Sequence, residues 1–126
     1  MTARVAPDPA QAELLDRLRS ALEDRHPREV RMFGGISFMI DGRMIAAARR
    51  HGELLLRIDP ANSERLLGEP FAQPARMGPS RTMERSWIAV NPEGLTGQRL
   101  IEWLAQALSF HAAQASLREQ HSPVEQ

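Results

Sequence analysis

Two glycine-containing corners, Asp41-Gly42 and His51-Gly52, divide the stretch from Arg31 to Ile58 into three apolar segments of strand length. Asp-Gly suits a two-residue type I′ loop, which needs a positive φ at both positions, and His-Gly is a weaker form of the same signal. Two-residue loops at both corners force the pairing. Ile40 then faces Arg43, Phe38 faces Ile45 and Ile36 faces Ala47 across the first corner, while Ala47 faces Leu56, Ile45 faces Ile58 and Arg49 faces Leu54 across the second. Opposed residues share a face, so this register predicts one side made of Ile36, Phe38, Ile40, Ile45, Ala47, Leu54, Leu56 and Ile58, open to a layer of helices. The other side collects Ser37, Met39, Met44, Ala46, Ala48, Leu55 and Arg57, a half-apolar surface with one charge near its middle.

The chain supplies a covering layer at both ends. Asp8 followed by Pro9 opens a helix reaching about Asp24, in which Leu14, Leu15, Leu18, Ala21 and Leu22 recur at helical spacing, and His26-Pro27 stops it. Glu29 to Phe33 leads into Gly34-Gly35, a bend or bulge; no helix follows the glycine pair, so it does not read as a phosphate loop. After Ile58, Asp59 caps, Pro60 starts and Gly68 closes a short helix. The segment from Glu69 to Arg85 holds three prolines and leaves room for at most a short strand near Ala75 to Met77, before a last strand over Ser86 to Asn91.

Thr96 then caps a final helix from about Gly97 to Leu117. Its apolar arc of Leu100, Leu104, Ala107, Leu108 and His111 is flanked by Ile101 on one side and by Trp103 and Phe110 on the other. Such a wide arc touches two surfaces: the helix lies in a cleft between sheet and first helix, or its Trp103/Phe110 edge packs on another protomer. The expected fold class is α+β, an antiparallel sheet of a three-strand meander plus one or two later strands, with N- and C-terminal helices packed on it. Residues 1–8 are expected to be a flexible arm, 9–117 a single domain and 118–126 a disordered tail.

Composition narrows the chemistry. The chain has 126 residues, enough for one domain, and its sixteen basic and sixteen acidic residues cancel. A neutral chain lacks the bulk positive field that drives non-specific nucleic-acid or anionic-membrane binding, so direct nucleic-acid binding is not expected. Every basic side chain is Arg and cysteine is absent, which excludes Schiff-base chemistry, thiol nucleophiles and disulfides and fits the cytoplasm. No run approaches the roughly 18 apolar residues of a membrane span. His26, His51, His111 and His121 have no helical i, i+4 partner for a metal, Glu23/Asp24 read as solvated charge, and Ser37 lacks the Gly-x-Ser-x-Gly order. No catalytic residue, cofactor or metal is therefore assigned.

The first expectation is a non-enzymatic protein-interaction module, a homodimer, built on the half-apolar sheet face and the wide arc of the last helix. Its candidate face comprises Met39, Met44, Arg57, Arg76, Arg81, Arg85, Trp103 and Phe110. The alternative is a small anionic-ligand binder, or an enzyme, using a pocket between Met39, Met44, Arg57 and the Arg76 to Arg85 loop.

The order of residues also resembles a known family. Met32-Phe33-Gly34-Gly35-Ile36-Ser37-Phe38-Met39, Asp41-Gly42-Arg43-Met44, Leu54-Leu55-Leu56-Arg57-Ile58-Asp59, Glu69-Pro70-Phe71, Met83 before Trp87 and a closing amphipathic helix around Trp103 are similar to the N-terminal domain of the TfoX/Sxy family. The resemblance implies an antiparallel sheet with helices at both chain ends, similar to secretion-chaperone-like folds. Two-domain members of that family regulate natural competence as partners of a transcription factor. With no C-terminal helical domain after Leu117, the resemblance implies a stand-alone N-terminal module, and it carries no catalytic set.

Overall fold

The structure, a computed structural model, describes residues 8–32, 34–78 and 81–121. The expected arm up to residue 7 and the expected tail beyond residue 121 lie outside them. Helix α1 (Pro9–Ala21) begins where Asp8 caps it, with the carboxylate accepting from the Gln11 N–H at 2.8 Å. It tightens into a 3-10 turn at Glu23–Arg25 and ends as His26 turns left-handed, φ 50°, ahead of Pro27.

Four strands follow as a meander, β1 (Arg28–Met32), β2 (Gly35–Ile40), β3 (Arg43–Arg49) and β4 (Leu54–Arg57). Asp59, accepting from the Ala61 N–H, then starts a 3-10 turn that runs into the short helix α2 (Ser63–Leu67). Strands β5 (Ala72–Pro74) and β6 (Trp87–Val90) complete an antiparallel sheet in the order β1-β2-β3-β4-β6-β5, and helix α3 (Arg99–His121) closes the fold. The molecule is thus α+β with helices from both chain ends on one sheet. β1 is a strand of its own rather than a lead-in, the short strand lies at Ala72–Pro74 rather than at Ala75–Met77, and α3 starts two residues later and runs four residues further than its spacing predicts.

The pairing differs from the expected one at two places. Asp41 and Gly42 do adopt positive φ, 54° and 77°, and Ile40 faces Arg43. Beyond Met39↔Met44, however, Phe38 pairs with Ala46, leaving Ile45 as an extra residue in β3. The second corner holds three residues, Arg50–Gly52, and Arg49 N–H bonds the Glu53 carbonyl at 2.8 Å, so Ala48 faces Leu54 and Ala46 faces Leu56. Each difference is one residue and together they make two. Because side chains alternate with period two, Phe38 and Leu56 still share a face. The bulge sends Ile45, Ala46 and Ala48 to the helix face and Ala47 to the back, the reverse of what two-residue loops demand for the three alanines.

The core lies between that face and the helices. Leu14, Leu15, Leu18 and Leu22 of the α1 segment and Leu100, Trp103, Leu104 and Ala107 of α3 bury against Phe38, Ala46, Leu54, Leu56, Ile88 and Val90. Two polar contacts fix α1 on the second corner: Gln11 Nε2–H donates to the Ala48 carbonyl at 2.9 Å, and the second Asp8 oxygen accepts from the His51 N–H at 2.9 Å. Gly52, φ 81°, allows the approach, since a Cβ there would stand 3.1 Å from that of Ala10.

Two predictions follow from these contacts. A Cβ at Gly35 would overlap the Ala48 carbonyl, backbone that cannot move aside, whereas Gly42 has open space and only a positive φ. In chemical denaturation Gly35→Ala is expected to cost about 2–4 kcal/mol and Gly42→Ala about 1 kcal/mol. The Asp8 carboxyl is held below its usual pKa, first by the His51 N–H and then by the Gln11 N–H. A group with a lower pKa folded than unfolded adds stability above the unfolded value and loses it as pH falls through the folded one. The melting-temperature gap between wild type and Asp8→Ala is therefore expected to be full at neutral pH and to close as pH falls below about 4.

Candidate interaction surface

The back face of the sheet is covered by its own chain. Met44, Ala47, Leu55, Ala75 and Ala89 form a second buried cluster, with Met39, Met83 and Trp87 packed partly against it. The covering segment, described over residues 75–78 and 81–86, folds back on itself: Met83 N–H bonds the Ala75 carbonyl, Met77 N–H bonds the Arg81 carbonyl, both at 2.8 Å, and Arg76 bridges Thr82. Apolar Ala75 and Met83 therefore occupy the surface expected to be free.

The expected candidate residues separate accordingly. Met44 is buried and Met39 half-buried. Arg76 and Arg81 are exposed on the covering segment, with Arg81 beside Met77, Met83 and Trp87 at a pocket of about 250 Å³. Arg85 is turned away toward the Pro60 carbonyl, 3.5 Å distant. Trp103 is 3% exposed within the main core, under the Arg99 guanidinium, so its ring is taken up by this chain. Arg57 sits at the sheet end with its guanidinium carbon 5.6 Å from the Trp87 ring centre and 5.8 Å from that of Phe110. That is cation–π packing, with the Nε buried and unbonded, and the crevice between Arg57, Phe110 and His111 has no room for water. Arg57 and Phe110 meet; the three loop arginines do not join them in one cavity.

Sequence reasoning missed a polar cluster at the opposite sheet end. Arg49 donates to the Arg76 carbonyl at 2.7 Å and pairs with Glu53 at 3.4 Å, while Gln73 Nε2–H reaches Glu53 at 3.0 Å and Asn91 at 3.2 Å. A pocket of about 470 Å³ opens beside it, lined by Gly34, Arg49, Arg50, His51, Glu53, Asn91 and Pro92. The three-residue corner carries Arg49 to this place, and assuming two residues there hid it. Among the described residues no three His, Asp or Glu side chains come together as metal ligands.

The first edge of the sheet is open. A type I′ corner makes Ile40 and Arg43 a hydrogen-bonded pair, so alternation turns Ile36, Phe38 and Ile40 toward β3 and Gly35, Ser37 and Met39 toward β1. Their partners Met32, Val30 and Arg28 bond β2, which leaves the N–H and C=O groups of Glu29 and Arg31 facing outward. At the far edge β5 has three residues and ends in Pro74, both of which discourage pairing; β1 has five and no proline. Arg19 grips Glu29 through two bonds of 2.7 and 2.8 Å and thereby holds its carboxyl below the usual pKa. Arg31, exposed two residues on, makes no hydrogen bond or ion pair among the described residues. The missed signal was Gly34, whose positive φ of 77° lies between paired Met32 and Gly35 and makes Arg28–Met32 a hairpin arm.

No curated protein and no solved structure matches the chain. The family model for the TfoX N-terminal domain matches residues 20–111, from the end of α1 through the His111 turn of α3. That span takes in the meander, the covering segment and most of α3, so the chain belongs to the TfoX N-terminal domain family.

Proposed function

We propose that this chain is a non-enzymatic protein-interaction module, an accessory of transcriptional regulation that engages its partner along the free edge of β1. The observation that carries the reading is the outward-facing backbone of Glu29 and Arg31, a template that a partner strand completes by main-chain hydrogen bonds. The half-apolar back face, in contrast, is occupied by Ala75 and Met83 and offers less to a partner. The family's two-domain regulators support a role as an accessory, and a cysteine-free chain suits the reducing cytoplasm. Among the described residues no helix is long and apolar enough to cross a membrane.

The reading is tested by placing a photo-crosslinking amino acid at Arg28, on the edge strand, or at Asp16, on the exposed side of α1, in cells expressing the full chain. A discrete adduct from the Arg28 position alone, lost when Arg31→Pro is added and identified by mass spectrometry as a transcription regulator or a second copy, is the expected result. Equal adducts from both positions, or none, overturn it.

A second reading, a small anionic-ligand binder, is favoured by one observation. Arg49, Arg50 and His51 line the 470 Å³ pocket at the sheet end, whereas the space beside Arg57 is closed. Calorimetric titration with phosphate and small dicarboxylates is expected, on this reading, to give binding that Arg50→Ala weakens about tenfold. Absence of heat with every probe removes it.

A further inference from the structure

We infer that the free edge of β1 pairs with the same edge of a second copy of this chain, antiparallel and centred on Val30. The inference rests on the interaction-module reading and names its partner. An edge that pairs with itself about a twofold axis does so antiparallel, and the outward N–H and C=O groups meet only where Glu29 and Arg31 are set against one another. Three registers do that. One puts Glu29 opposite Glu29 of the second copy and another puts Arg31 opposite Arg31, and like charges directly opposed are destabilising.

The third register passes the axis through Val30 and sets Glu29 opposite Arg31 of the second copy, twice. Arg31 has no partner of its own charge complement among the described residues, and here it acquires one. Glu29, already held by Arg19, then lies between two guanidinium groups. On the back face Val30 meets Val30 and Arg28 lies opposite Met32. Charged residues on an edge ordinarily discourage pairing. Here their alternation in sign about Val30 discourages the two competing registers and favours this one. A ladder this short without a large apolar patch belongs to the weak class of interfaces, with a Kd of roughly 10–100 µM.

Sedimentation velocity of the full chain at low salt, from roughly 5 to 500 µM, reads the equilibrium directly. The wild type is expected to shift from monomer to dimer over that range. Arg31→Glu and Glu29→Arg are each expected to raise Kd about tenfold or more. An equimolar mixture of the two variants is expected to regain the dimer, because positions 29 and 31 are then both acidic on one edge and both basic on the other. Arg31→Pro removes an outward-facing N–H together with the guanidinium and leaves the bonds to β2 in place, and it is expected to abolish the dimer while the circular-dichroism melt stays cooperative. A wild type that remains monomeric, a dimer indifferent to Arg31→Glu and Arg31→Pro, or a mixture that stays monomeric overturns the inference. A monomeric chain that still cross-links to a different protein through Arg28 overturns self-pairing and leaves the interaction-module reading standing. A chain that captures neither overturns both.

Discussion

Burial of one face of a six-stranded sheet is the constraint from which the other features follow. Phe38, Ala46, Leu56 and Ile88 lie side by side in a row across four neighbouring strands, each fully buried. The row is uneven, with a small alanine in β3 between larger neighbours. Both long helices lie against β3, and the small Ala46 and Ala48 leave room for the apolar faces of α1 and α3. Since a fully buried leucine or phenylalanine contributes about 1.5–3 kcal/mol, a strand that slipped by one residue would exchange Phe38 or Ile88 for the smaller Ser37 or Ala89 of the neighbouring row and lose packing against the helices.

Polar contacts then determine how the helices sit. Asp8 is both the cap of α1 and the acceptor for the His51 corner, and Gln11 reaches the Ala48 carbonyl one turn later. Midway along α3, His111 Nε2 lies 3.1 Å from the Asp41 carboxylate, so the β2–β3 corner is tied to α3 and the β3–β4 corner to α1. Arg17 adds a third tie by donating to the Leu95 and Gly97 carbonyls ahead of α3. These bonds are few, but each joins segments far apart in sequence, which gives the two-layer packing one arrangement rather than several.

With one face under helices and Ala75 and Met83 packed on the other, the sheet keeps its open backbone groups along its edges. The β5 edge is short and interrupted by proline, and α2 lies against it. The β1 edge keeps two residues with unused backbone groups and opposite charges. Arg57, which the expected register makes the candidate for a ligand, is instead absorbed between two aromatic rings. The placement of charge thus moves the functional reading from a surface to a line.

Sequence alone determined the α+β class, the caps at Asp8 and Asp59, the type I′ corner at Asp41-Gly42 and the helix-facing Phe38, Ile40, Ile45, Leu54, Leu56 and Ile58, because each is local chemistry or a period-two pattern. It also carried the family resemblance through Met32-Phe33-Gly34-Gly35 and Leu54 to Asp59. Tertiary structure decided the rest. The extra residue at Ile45 leaves no mark in composition, since alanine is tolerated on either face, and only the packing of α1 and α3 selects Ala46 and Ala48 over Ala47. Whether Ala75 and Met83 lie over Met44 and Leu55 depends on contacts between segments distant in the chain, and so does the freedom of the β1 edge. No spacing rule encodes which side of a strand remains without a neighbour.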